Sequence, residues 1–383
     1  MSAPRLLVVT NFASHYRAPL FERLHERLGA EFIFFSRGGE GYWQPHLGTT
    51  RGAFPAKTVA DGPHLGKLRF NTQLWQELNA RPYDVVVKCM NGRLELPMAY
   101  AAARRKGAAF VLWTGMWMHP RSAFHTVSRP FTRWIYRHSD AIVTYGSHVS
   151  RFVVGEGANA RKVFEADNAT NNQAFGRQVS GDEIGRVRSE CGVGSGGMVL
   201  AVSRLVPEKG LDVLLDAVGA LPGARPTIVV VGTGPLENHL KHRAQELGVS
   251  IVIVSGLQPA EMPPYYAAAD VFVMPSVTTR TFKEPWGLAC NEAMLQGVPV
   301  IATDAVGAAA GGLVENGVTG LVVPERDSMA LGTALATVLR DRALARRLGD
   351  EGKARVAKVD YDNMVRAFED AIAYAVEHRA GRR

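Results

Sequence analysis

Eleven short runs of apolar residues, rich in Val and Ile, recur along this chain between segments of helical pattern, and they restrict its fold more than any other feature. Five lie in the first half: RLLVVT (5–10), EFIFFS (31–36), DVVVKC (84–89), AFVLW (109–113) and DAIVTY (140–144). Six follow later: MVLAVS (198–203), TIVVVG (227–232), SIVIVS (250–255), DVFVMP (270–275), VPVIAT (298–303) and GLVVP (320–324). Runs that are apolar at nearly every position, rather than at alternate ones, suit parallel strands covered on both faces. Alternation of such strands with helices gives an α/β fold with a doubly wound sheet. The series is interrupted once, by the polar, Gly-rich interval GRQVSGDEIGRVRSECGVGSGG (176–197). The expectation is therefore two doubly wound domains, residues 1–180 and 190–360, followed by a long amphipathic helix within 361–383 that packs back on the first.

A chain of 383 residues, 46% hydrophobic and 21% charged, is long enough for two packed cores. The net charge of +8 is unevenly placed. Residues 1–180 carry about 23 Lys and Arg against about 12 Asp and Glu, and the remainder is slightly acidic. Two domains with different partners fit that asymmetry, the first facing an anionic acceptor or membrane surface. Three scattered cysteines, Cys89, Cys191 and Cys290, are too few for a disulfide framework or a zinc site. A cytoplasmic protein is expected, because the apolar run in MSAPRLLVVTNF is too short for a secretion signal. The longest apolar stretch, AAFVLWTGMWM (108–118), is about half a membrane span.

The stretch EPWGLACNEAM (284–294) combines a Pro-Gly turn with a helical pattern that ends on Gly297. A helix starting near Gly287 or Leu288 presents unpaired amides and the positive end of its dipole, which suits an anion. Its flanking carboxylates, Glu284 and Glu292, repel phosphate but accept hydrogen bonds from hydroxyls. The pattern suits a ligand with phosphates and a polyol, although a capped surface helix with two solvated acids would read the same way. Arg204 and Lys209 stand between the strand MVLAVS and the next helix, where two cations can meet a diphosphate. Gly232 and Gly234, in VVVGTGPLE (229–237), let backbone approach a ligand closely.

Taken in order, VSRLVPEKGLDVLLDA, VVGTGPLE, AADVFVMPS and EPWGLACNEAMLQGVPVIATDAVG resemble the second domain of the family-four glycosyltransferases, over residues 198–325. The resemblance implies the GT-B fold: two Rossmann-like domains facing across a cleft, the first for the acceptor and the second for a nucleotide sugar. It assigns Arg204 and Lys209 to the donor diphosphate, Glu284 to the transferred sugar, Glu292 to the ribose, and the amides at Gly287 and Leu288 to phosphate. It also implies retention of anomeric configuration and no metal or other cofactor, with UDP as the commonest donor nucleotide. Arg204, Lys209 and Glu284 are the expected catalytic set. The acceptor class it suggests is a cell-envelope polysaccharide or lipid-linked saccharide, or else a small natural product.

The first domain departs from the family pattern. A glycine-rich loop is missing after the first strand, where NFASHYRAPLFERL (11–24) stands, and TGMWMHPRS (114–122) follows the later strand. His15, Tyr16, Arg17 and His119 become acceptor-side candidates, each also readable as a packing residue. RPFTRWIYRHSD (129–140) spaces Arg129, Arg133 and Arg137 at helical intervals, which suits an anionic membrane surface or a solvated basic edge, provided that Pro130 lies in the first turn. The Asp-x-Asp triplet DYD (360–362) reads as a helix start rather than a metal site. Dinucleotide oxidoreduction is disfavoured, since Gly-x-Gly-x-x-Gly follows neither domain's first strand. Nucleic acid is not an expected partner. A nucleotide-sugar epimerase, using the same donor pocket without an acceptor, remains the nearest rival.

Overall fold

All eleven apolar runs form strands in the computed structural model, which describes residues 4–38, 52–59, 62, 64–65, 68–69 and 71–380. By internal contacts the chain divides into two units. One holds the residues up to His119, Ala123–Asp167 and the segment from Tyr361; the other holds Pro120–Ser122 and Asn168–Asp360.

The second unit is built on a six-stranded parallel sheet in the order Ile251–Val254, Thr227–Val231, Met198–Val202, Val271–Met274, Val300–Thr303, Leu321–Val323. In sequence rank that is 3-2-1-4-5-6, the order in which the loops after the first and fourth strands diverge and leave a crevice. Those two loops contain Arg204, Lys209 and Glu284. The sheet is packed by buried Leu211, Leu214, Leu215 and Val218 from one helix and by Leu331, Leu335 and Val338 from another.

The first unit has a seven-stranded parallel sheet among the described residues, ordered Ala56–Thr58, Glu31–Phe34, Leu6–Thr10, Val85–Cys89, Ala109–Thr114, Ala141–Thr144, Val163–Glu165. Its last helix, Tyr361–Ala380, lies within this unit. Phe368, Ala371 and Met364 on that helix are fully buried, and Phe368 meets the Trp113 ring edge-on at 5.2 Å. Ion pairs Arg27–Glu369 (2.7 Å) and Arg23–Asp362 (3.2 Å) flank the contact. Exposed pairs contribute ~1 kcal/mol or less each, whereas a buried Phe contributes about 1.5–3 kcal/mol, so apolar burial holds the helix in place. The helix begins inside the DYD triplet, and Asp362 is engaged by Arg23.

Two sequence expectations are corrected. The boundary between the units falls at Asp167–Asn168, ahead of the 176–197 interval. Side-chain amides hold the intervening segment to the second unit: Asn172 donates to the Val359 carbonyl (3.1 Å) and Gln296 to that of Arg177 (3.0 Å). Pro130 does not lie in a first turn but in the middle of the helix Ala123–His138. It can donate no amide to the preceding turn, a cost of about 3 kcal/mol that buried Ile135 and Tyr136 offset.

Candidate functional site

At the crevice of the second unit, Lys209 ends the turn Pro207–Lys209 and donates a short hydrogen bond from Nζ to Glu284 Oε2. Both side chains are about one-tenth exposed. Ser276 Oγ, at the start of the loop after the fourth strand, donates to the same carboxylate oxygen at 3.3 Å. Arg204 pairs with Glu208 at 3.1 Å and keeps about a quarter of its side chain exposed. The turn is fixed to the neighbouring loop by the Val277 amide, which donates to the Glu208 carbonyl at 2.9 Å. Gly210 follows Lys209 with φ +63, and a Cβ there would stand 2.0 Å from the Pro275 carbonyl oxygen. Only glycine allows that approach, and it brings the lysine to the glutamate.

The EPWG segment is held by main-chain bonds from Gly307 to the Glu284 carbonyl (3.1 Å) and from Ala308 to the Trp286 carbonyl (2.7 Å). Buried Trp286 donates its Nε1 to Asn291 (2.8 Å), and Asn291 donates to the Asn168 carbonyl (3.0 Å). The expected helix follows as Leu288–Leu295, with Gly287 as N-cap at φ +98 and Gly297 beyond its end at φ +73. No side chain caps its first turn, so the amides at Leu288 and Ala289 point outward at the positive end of the helix.

One turn into that helix, Glu292 accepts hydrogen bonds from the Tyr266 hydroxyl (2.5 Å) and Thr170 (3.5 Å). Burial pushes its carboxyl up to about 7, against the pull of those two donors. The folded state therefore binds a proton that the unfolded chain releases near pH 4.5, and this contribution to stability is lost as pH rises towards 7. The ionised carboxylate is the stronger acceptor, so for the ribose hydroxyls that the resemblance assigns to Glu292 the opposite sign holds for binding. Nucleotide affinity is expected to rise through pH 6–8 while thermal stability falls between about pH 4.5 and 7. Glu292→Gln should flatten both trends, which titration calorimetry and melting curves across that range would test.

Gly232 and Gly234 allow a close approach of backbone to backbone within the unit. A Cβ at Gly232 would lie 1.9 Å from the Ser203 carbonyl oxygen, and one at Gly234 would lie 2.4 Å from that of Leu205. Main-chain bonds from Leu205 to Thr233 (2.9 Å) and from Leu236 to Leu205 (3.1 Å) join the same two turns. The glycines thus let the turn carrying Arg204 sit directly on its neighbour.

In the first unit, Arg17 is buried, with its guanidinium 4.5 Å from the Trp113 ring, 5.0 Å from Tyr145 and 5.4 Å from Tyr16. Tyr16 lends its carbonyl to the Tyr361 hydroxyl at 2.8 Å, and His15 packs edge-on against Tyr16. His119 stands apart from these three: its Nε2 lies 2.9 Å from Glu156. Arg129 and Arg133 reach the same carboxylate, each at 3.2 Å. Burial pushes Glu156 up, but His119 and Arg129 more than compensate and hold it below its usual range. Two of the three arginines expected to face a membrane are therefore partly neutralised within the protein.

Residues 194–355 match the model of the family described as Glycosyl transferases group 1. The matched segment lies within the second unit. It is 36% identical over 178 residues to the GDP-mannose-dependent α-(1-6)-phosphatidylinositol monomannoside mannosyltransferase of Mycolicibacterium smegmatis, covering 45% of this chain and 46% of that one. It is 29% identical over 252 residues to the sulfoquinovosyl transferase SQD2 of Arabidopsis thaliana, covering 63% and 46%. The chain spans about half the length of these curated relatives. Among solved structures, Anabaena HepE in complex with UDP superimposes with a TM-score of 0.74 at 20% identity, over 96% of this chain and 99% of that one. The fold is the α/β, two-domain GT-B type.

Sequence reading missed the residues that support the site. Ser276 ends the AADVFVMPS segment, but nothing local says that it faces Glu284. Tyr266 and Thr170, the two donors to Glu292, come from segments 26 and 122 residues away. A readable local signal exists for one element: Ser180 and Glu183 form a capping box that starts the helix Gly181–Glu190 inside the polar interval 176–197.

Proposed function

We propose that this chain is a retaining hexosyltransferase that moves a sugar from a nucleotide-diphosphate sugar to a hydroxyl of a lipid-linked or cell-envelope saccharide, without a metal. The observation that carries the reading is the convergence of Lys209 and Glu284 from two loops at the crevice, with Arg204 and the open helix N-terminus at Leu288 in the same unit. Arg204, Lys209 and the amides at Gly287 and Leu288 take the diphosphate, Glu292 takes the ribose, and Glu284 takes the sugar. As the bond from C1 to the phosphate oxygen breaks, positive charge grows on the sugar and negative charge on the leaving diphosphate, and the two cations stabilise the latter. The acceptor oxygen bonds to C1 on the same face, and its proton passes to the departing phosphate. His15, Tyr16, Arg17 and His119 belong to the acceptor side of this scheme. The protein acts in the cytoplasm, at the inner face of the membrane.

UDP is the donor nucleotide expected from the family as a whole. GDP-mannose is the second reading, favoured by the requirement in the name of the mycobacterial relative, whose match to this chain lies at 36% identity. Melting curves with UDP-, GDP-, ADP- and dTDP-sugars should show one series with a clear upward shift, equivalent to about 2.7 kcal/mol at a hundredfold excess over Kd. Proton NMR of the product, with and without chelator, then reads the configuration and the metal requirement. An inverted linkage, or activity lost to chelator, would falsify this mechanism. Sugar conversion without any acceptor would move the assignment to an epimerase.

A further inference from the structure

We infer that the helix Ala123–His138 is an in-plane contact with an anionic lipid surface, made by an apolar stripe rather than by the arginines alone. The inference deepens the proposed reading, since a lipid-linked acceptor has to be met at a membrane. Val127, Phe131 and Trp134 follow one another at four- and three-residue steps, so they share one face of the helix. Val127 is 82% exposed, Phe131 37% and Trp134 39%. Only four other large hydrophobic residues among those described are comparably exposed, and no other helix carries more than one of them. A stripe concentrated in this way marks an interaction face, whereas scattered exposed hydrophobics do not.

The stripe is preformed. Trp134 stacks between Phe131 (5.9 Å) and His138 (4.5 Å), and its other contact is the edge of Tyr100 at 4.9 Å. The helix is anchored to its unit by buried Ile135 and Tyr136. Aromatic and aliphatic side chains on a fixed helix can enter the headgroup boundary without unfolding anything.

Charge decides the occupant. The helix has Arg129, Arg133 and Arg137 with no Asp or Glu, and residues 1–180 carry a large basic excess. Glu156 takes up part of the charge of Arg129 and Arg133, while Arg137 is an exposed residue. Arg137 lies three residues after Trp134, beside the stripe, whereas Arg129 and Arg133 turn towards Glu156. A neutral apolar partner leaves Arg137 and the basic excess of this half of the chain unanswered; an anionic bilayer meets them together with the stripe. No helix among the described residues is long and apolar enough to cross a membrane, so the contact is one that lies on the surface.

The test is sedimentation of the full chain with vesicles of phosphatidylcholine alone or with increasing phosphatidylglycerol, at low and moderate salt. The parent should bind the anionic vesicles and lose affinity with salt. Val127→Asp adds a like charge at a position with little packing to lose, and should lower binding at least about tenfold. Val127→Ser with Phe131→Ser and Trp134→Ser should do the same, by more than Arg129→Gln with Arg133→Gln. The thermal response to nucleotide in the second unit serves as the folding control. Unchanged binding in Val127→Asp overturns the inference, and so does a parent that stays in the supernatant at low salt. Dimers that form with concentration and vanish in Val127→Asp would assign the stripe to a second copy instead. The assay involves no sugar transfer, so vesicle binding without turnover counts against the transferase reading alone.

Discussion

Lys209→Ala should lower the proposed sugar transfer by about a hundredfold or more, the usual loss when one preorganised charge is removed from a leaving group. It should also abolish the thermal response to nucleoside diphosphate. The structure adds a second effect. Glu284 is about one-tenth exposed and has Lys209 as its cationic partner, with Ser276 contributing a longer hydrogen bond. Without the lysine, a largely desolvated carboxylate remains, and the melting temperature should fall as well. Glu284→Gln in the Lys209→Ala background removes that charge and should restore most of the stability but none of the turnover. The pair therefore separates support of the fold from support of the reaction. Arg204→Ala is the contrasting case, because Arg204 pairs with Glu208 at a more exposed position and its loss should weaken nucleotide binding with little change in the unliganded melting temperature. Undiminished turnover in Lys209→Ala would remove the lysine from the donor site.

Gly232→Ala should be the most destabilising single methyl addition in the second unit. Its Cβ would stand 1.9 Å from the Ser203 carbonyl oxygen, and that obstacle is backbone, which cannot rotate away. Relief requires one of the two turns to move, at a cost of about 3 kcal/mol or more. The turn that moves carries Arg204, so nucleotide response should vanish even at temperatures where the variant is still folded. Gly223→Ala is the control: φ there is +82, but nothing lies within 4 Å of the added carbon. Its cost should stay near 1 kcal/mol, that of the left-handed conformation alone. Melting curves of the two variants side by side check both, and equal losses would mean that backbone conformation, not the close approach, sets the requirement for glycine.

The amino-acid order by itself determined the eleven central strands, the doubly wound class, the start of the helix at Leu288 and its glycine stop, because each depends on patterns a few residues long: continuous apolarity, Pro-Gly turns, an N-terminus without a cap. It failed where those patterns are weak. Ala56–Thr58 is a strand of three exposed residues and Val163–Glu165 is equally short, so both are held by pairing to a neighbour rather than by burial. The helix that runs through Pro130 follows the same logic in reverse, since packing by Ile135 and Tyr136 overrides a local stop signal.

Tertiary structure alone decided the chemical state of the site. Arg204, Lys209, Glu284 and Glu292 are legible as polar residues at strand ends, but the contact between Lys209 and Glu284 spans 75 positions and exists because the first and fourth strands lie side by side. The raised pKa of Glu292 comes from burial beside Tyr266 and Thr170, which no spacing within EPWGLACNEAM encodes. Arg17 became an interior cation because Trp113 and Tyr145 end adjacent strands around it, and Arg129 and Arg133 lost part of their surface charge to a glutamate on another element. Local sequence sets which groups a segment offers; desolvation and pairing depend on what the rest of the chain places within about 4 Å of them.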